Sequence, residues 1–217
     1  MKGKFGIRKE GGFSMVELAI VLAIIALILG AVAVGKDLQR NAEYRKITNK
    51  FVGQWAQAYN QYYERTGVVI GDSLANPTGK VGGGDSSVIS GSAMVTEFLN
   101  KGVNLPEGNG QTEVGNARFY RYLDAAGIPR LVTISFTHTA NGSTASGGVI
   151  GNVMIIDNVT PQLGAIMDSV VDGIVDADQG YFRGNSANSW GSDTSADSAA
   201  KEETSEVAQT AFWKMNQ

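Results

Sequence analysis

Cysteine is missing from this chain of 217 residues, histidine occurs once and proline four times. Without cysteine there is no disulfide framework, no thiolate metal site and no cysteine nucleophile, so any exported part must be held by packing alone. No charge of one sign dominates either. With 18 basic and 21 acidic residues and a formal net charge of -3, the chain has no broad positive field for nucleic acid, and any such contact would be local and weak. No internal repeat is evident. Proline is absent between Phe13 and Arg65, which leaves that stretch free to run as one helix.

Apolar residues make up 43% of the chain and charged residues 18%, but they are unevenly spread. Leu18 to Val34 carries no charge at all, which argues against a simple cytosolic globule. The segment Phe13 to Gly35 is long enough at about 1.5 Å per residue to cross a bilayer core. Before it, Lys2, Lys4, Arg8 and Lys9 stand against Glu10 alone, so this end stays in the cytoplasm. A cleaved secretory signal would use the small residues Ala31, Ala33 and Gly35. It leaves Glu17 unexplained, because a carboxylate in a membrane helix is costly and therefore functional by default.

Gly12-Phe13-Ser14-Met15-Val16-Glu17-Leu18, behind a short basic leader and ahead of an unbroken apolar helix, resembles the processing site of the type IV pilin and pseudopilin family. The resemblance covers about the first quarter of the chain, and the combined pattern is specific. It implies that a prepilin peptidase cuts between Gly12 and Phe13, methylates the new Phe13 amine and leaves the hydrophobic helix on the mature protein. It also implies identical or related pilin subunits and an inner-membrane assembly machinery as partners. The physical chemistry fits, since the new amine, with a reference pKa of about 7.7 to 8.0, is largely protonated. Glu17 of a staggered neighbour can then pair with it, neutralising both charges in a low-dielectric bundle. The alternative is that Glu17 only caps the positive end of its own helix. Many major pilins carry proline where this chain has Val34. Here Gly30 and Gly35 are the nearby breakers, which favours a minor pilin or a pseudopilin.

Beyond Gly35, Tyr44, Ile47, Phe51, Trp55, Ala58 and Tyr62 recur at helical spacing and predict a buried face, with Gly67 as the stop. Lys36, Arg40, Arg45, Lys46 and Lys50 make the neighbouring turns basic. Val68 to Ser90 is glycine-rich and reads as a loop or a small irregular subdomain, in which Gly79-Lys80 lacks the rest of a phosphate loop. A short helix is expected at Ser92 to Lys101, with Val95, Phe98 and Leu99 inward. Strands are expected at Ala117 to Leu123, Leu131 to Thr139 and Val149 to Asp157, the last two joined through Asn141-Gly142, forming an antiparallel meander with one face on the long helix. His138 reads as a strand-end histidine without catalytic or zinc partners. Thr160 to Val175 predicts a helix with Leu163, Ile166, Val170 and Ile174 inward and with Asp168, Asp172 and Asp176 stacked on one face. Asp172, Asp176 and Asp178 are the calcium candidates, although the full EF-hand spacing is absent. Gly184 to Ala200 is expected to be an exposed loop in which Trp190 needs a contact. Lys201 to Lys214 is expected to be a last helix, with Val207, Ala211 and Met215 on one side.

The expected class is α+β: a cleaved leader at 1–12, a long helix at 13–66 that is apolar to about residue 35, and an extracytoplasmic head at 67–217. The favoured function is a non-enzymatic filament subunit, a single-pass inner-membrane precursor whose mature form enters a pilus or periplasmic filament. The alternative is a membrane-anchored binding module that does not polymerise. An extracytoplasmic hydrolase is a distant third.

Overall fold

The aromatic and aliphatic spacing seen in the sequence builds the first element. The computed structural model describes residues 13–109, 118–140, 148–185, 190 and 208–216. Helix α1 covers Met15–Lys46, Ile47–Val52 adopt a π-helical turn, and α2 follows at Gly53–Thr66. The chain divides into two compact units, Met1–Asn41 and Ala42–Gln217. In the first, every side chain from Phe13 to Gln39 is exposed. An 18-residue window there has mean hydropathy 3.0 and none of it is buried, which is the composition of a bilayer-crossing helix.

The second unit begins at the end of α1. Tyr44, Ile47, Phe51, Trp55, Ala58 and Tyr62 are all buried there, as their spacing predicts. Between them the helix widens: the Thr48 hydroxyl donates to the Tyr44 carbonyl at 2.9 Å, and the Gly53 N–H reaches back to the Thr48 carbonyl. A π turn of this kind adds a residue and shifts which side chains face inward. Gly67 ends α2 in the left-handed region, φ 76°, with its N–H donating to the Tyr63 carbonyl.

Six antiparallel strands follow: β1 (Val88–Ser90), β2 (Phe119–Leu123), β3 (Pro129–Thr139), β4 (Gly151–Val159), β5 (Phe182–Gly184) and β6 (Gln209–Lys214). Their order is β1-β3-β4-β6-β5, with β2 also paired to β3. The 11 residues of β3 are long enough for β2 and β1 to share one of its edges, at Pro129–Thr133 and Ser135–Thr137. Helices α3 (Gly91–Asn100) and α4 (Pro161–Val171) complete an α+β fold. Its centre is aromatic: Tyr59 stacks on Phe136 at 5.3 Å, and Trp55 meets Phe98 at 5.9 Å and Phe136 at 6.4 Å.

The meander β2-β3-β4 matches the expected strands, although Ala117 and the Asn141-Gly142 turn lie outside the described residues. Several expectations are corrected. The last element is a strand rather than a helix: Gln209–Lys214 is inserted between β4 and β5, and Lys201 to Val207 lie outside the described residues. A strand covered on both faces reads as a continuous apolar run, and periodicity cannot distinguish that from a buried helix. Helix α4 stops at Val171, so Val170 and Ile174 are exposed and Met167 takes the inward place beside Leu163. Of the two readings of Val68 to Ser90, the small irregular subdomain fits and the plain loop does not, because Val68, Val69 and Ile70 are buried and β1 pairs with β3. Gly184 is buried rather than part of an exposed loop, Trp190 is buried with the contact it was expected to need, and 186–189 and 191–200 lie outside the described residues; on α3, Val95 and Phe98 are inward as expected but Leu99 is exposed.

Candidate functional site

Ser14 and Glu17 are three residues apart at the start of α1, and this spacing lets each satisfy the other's main chain. The Ser14 N–H donates to Glu17 Oε2 at 2.8 Å, and the Glu17 N–H donates to Ser14 Oγ at 3.2 Å. This is a capping box, and the helix dipole adds to it by favouring a carboxylate in the first turn. Phe13 precedes it, 84% exposed. Gly12 lies outside the described residues. In the single chain, Glu17 therefore caps its own helix, next to the residue whose amine a cut after Gly12 would expose. The carboxylate is oriented, on the outside, and accessible to a partner.

In the second unit, the aspartates expected to stack along a helix instead close a turn. Because α4 ends at Val171, Asp168 points inward while Asp172 and Asp176 fold back around the turn. Asp168 is 1% exposed, and its Oδ2 accepts from the Trp190 indole N–H and from the Asp176 N–H, each at 2.8 Å. Asp172 Oδ2 accepts from the Phe182 N–H and Asp176 Oδ1 from the Gln179 N–H, both at 2.8 Å. Trp190 lies on Gly164, where a β-carbon would come within 2.3 Å of the ring. Among the described residues no three histidine, aspartate or glutamate side chains are grouped so as to hold a metal ion. The calcium candidates Asp172 and Asp176 are engaged with backbone N–H groups, and Asp178 is exposed.

Burial pushes the Asp168 carboxyl up to about 6, with Asp172 and Asp176 adding to the shift against the two donors. Its Oδ1 is buried and has no hydrogen-bond partner. The folded chain therefore holds a proton that an unfolded aspartate, at about 3.9, releases. Between roughly pH 4 and 6 the native state binds the extra proton, so this group's contribution is fully present below pH 4 and is lost as pH rises through 6. Asp168→Asn keeps an acceptor for the indole but does not titrate. The stability of the unsubstituted protein relative to this variant should fall by about 3 kcal/mol from pH 4 to 7. Urea midpoints across that range measure it, and parallel curves for the two proteins would remove Asp168 as the titrating group.

His138 is near the end of β3, as expected. Its Nδ1 lies 2.7 Å from Asp85 Oδ1, which also accepts from Lys80 Nζ at 2.9 Å. This cluster ties the glycine-rich segment to the sheet. Asp72 does similar work in the same segment, accepting from the N–H groups of Ser73, Thr78 and Gly79 at 2.8 Å each. Burial pushes its carboxyl up, but these bonds outweigh that and hold it below the usual range. Sequence reasoning missed Asp168 as a buried clamp. The available signal was Trp190, whose indole N–H needs an acceptor when it is buried.

Residues 7–33 match the prokaryotic N-terminal methylation motif, the hallmark of prepilin-like proteins, and the match includes Phe13, Ser14 and Glu17. No curated protein and no solved structure matches the chain.

Proposed function

We propose, taking the chain as the type IV pilin-like protein its N-terminal motif indicates, that it is a structural subunit of a pilus or pilus-like filament. The observation that carries this reading is the placement of Glu17: a carboxylate at the head of a fully exposed apolar helix, inside the methylation motif. The precursor inserts with its basic leader in the cytoplasm and is cut between Gly12 and Phe13. It is then drawn from the membrane into a bundle of like helices. Extraction from lipid is not prohibitive, because the apolar face exchanges lipid for other helices. In the bundle, Glu17 leaves its own cap and meets the Phe13 amine of a neighbour, which sets the axial register. The partners are the prepilin peptidase, other pilin subunits and the inner-membrane machinery. The role uses no catalytic group.

Processing gives the direct test. Mass spectrometry of the purified protein should find Phe13, methylated, as the first residue. Loss of residues 1 to 12 removes four basic residues and one acidic residue, leaving 14 basic and 20 acidic residues and a net charge of -6. Gly12→Val places a branched side chain at the junction and should leave an uncut precursor in the inner membrane. The usual mature species in that variant would overturn the assignment of the cut. An unsubstituted protein that keeps Met1 would favour the plain membrane anchor with a binding head.

A further inference from the structure

The sheet has two faces of different character. Phe136, Met154, Ile156 and Ala211 belong to the main core, where Phe136 meets Trp55 and Tyr59 of α2. The residues between them point to the opposite face, because successive side chains of a strand alternate. There Ser135, Ile155 and Phe212 stand directly across from one another on β3, β4 and β6, and Thr133 and Asp157 form the next paired row. Thr210 joins that row by donating its hydroxyl to Asp157 Oδ1 at 2.9 Å. On this face Ser135, Ile155, Phe212, Asp157 and Thr210 line an open cleft of about 590 Å³, to which Val88 of β1 and Asn185, just after β5, also contribute.

The volume is that of a small-molecule site, for which about 300 to 1,000 Å³ is usual, and so is the make-up of apolar side chains with a few polar groups among them. Phe212 is packed with Val149 and Val153, which fixes the floor beside Ile155. The polar groups are available. The Ser135 hydroxyl and the Asn185 amide carry no hydrogen bond among the described residues, and Asp157 uses one carboxylate oxygen on Thr210 and leaves the other. The main chain of β4 is taken up by β3 on one side and β6 on the other, so a ligand here meets side chains alone.

The chemistry of these groups selects the ligand. No basic side chain lines the cleft, and Arg183, across from Phe212, turns its Nε to the Gly180 carbonyl at 3.0 Å. Beside Asp157 an anion is therefore disfavoured. One carboxylate is a poor start on the six to eight oxygens that calcium takes. An ammonium group only donates, whereas the hydroxyls of Ser135 and Thr210 and the amide of Asn185 both donate and accept. They match a ligand whose own groups do both and whose C–H faces can lie on Val88 and Ile155. A sugar ring has these properties.

We propose that this cleft binds a neutral saccharide, with Asp157 Oδ2 accepting from ring hydroxyls, Asn185 and Ser135 exchanging hydrogen bonds with them, and the ring lying on Val88 and Ile155. All of these residues belong to the second unit, so the site stands independently of the filament reading.

Solution NMR of the full chain, in micelles of a detergent without a sugar headgroup, provides the test, with maltose, lactose, mannobiose and N,N′-diacetylchitobiose as probes. At least one of them should shift the amides of Ser135, Ile155, Asp157 and Asn185 saturably. Asp157→Ala should weaken that binding roughly tenfold, because a hydrogen bond to a charged group is lost. Asn185→Trp, at an exposed position outside the strands, should fill the cleft and abolish binding while the rest of the spectrum keeps its dispersion. No saturable shift with any of the four sugars overturns the proposal, and so does binding that both variants leave unchanged. Inorganic phosphate or putrescine shifting the same amides more strongly than every sugar overturns the assignment to a saccharide.

Discussion

Replacing Glu17 with alanine is expected to leave the cut between Gly12 and Phe13 intact and to abolish filaments. The trimmed protein should accumulate as monomer in the membrane fraction. In the filament reading, cleavage creates a protonated amine at Phe13, and side-by-side helices would bury it away from water. Removing its carboxylate partner leaves that charge uncompensated, at about 3 to 5 kcal/mol for a buried pair broken on one side. The loss recurs at every subunit contact, so it is multiplied along the filament. The capping box provides the control. Ser14→Ala breaks the same box in the single chain but keeps the carboxylate, and should cost only about 1 kcal/mol of helix stability while filaments still form. Electron microscopy and membrane fractionation separate the outcomes, and normal filaments from the Glu17→Ala protein would show that the charge pair is not needed.

Trp55→Ala should cause the largest loss of head stability. Trp55 is completely buried between Phe51, Phe98 and Phe136, with ring centroids 6.4, 5.9 and 6.4 Å away. Its indole nitrogen has no hydrogen-bond partner, so the substitution removes packing and no polar contact. Truncating a core tryptophan costs about 3 to 5 kcal/mol. For a unit of this size that lowers Tm by roughly 10 °C. Leu74→Ala, at a side chain 63% exposed, should shift Tm by little. Thermal unfolding of the fragment beginning at Ala42 measures both, and equal effects would mean that the aromatic cluster is not the centre of the core.

Local pattern was enough wherever a feature depends on neighbours along the chain. Ser14 and Glu17 are a capping box by spacing alone, the six residues from Tyr44 to Tyr62 picked out by the helical repeat are all buried, and Gly67 stops the helix because glycine accepts its positive φ. In β3 the two-residue repeat puts Val132, Ile134 and Phe136 in the core, whereas the burial of Ser135 and Thr137 on the other face is a matter of tertiary packing. Pairing across the chain was not legible in this way. Gln209–Lys214 has apolar side chains on both faces, and only its place between β4 and β5 makes it a strand. Asp168 has the same local surroundings as Asp172. It is buried because α4 ends at Val171 and Trp190, twenty-two residues on, brings an indole N–H that needs an acceptor. Periodicity records which face of an element is buried. Which elements become neighbours is decided by the packing of those faces against one another.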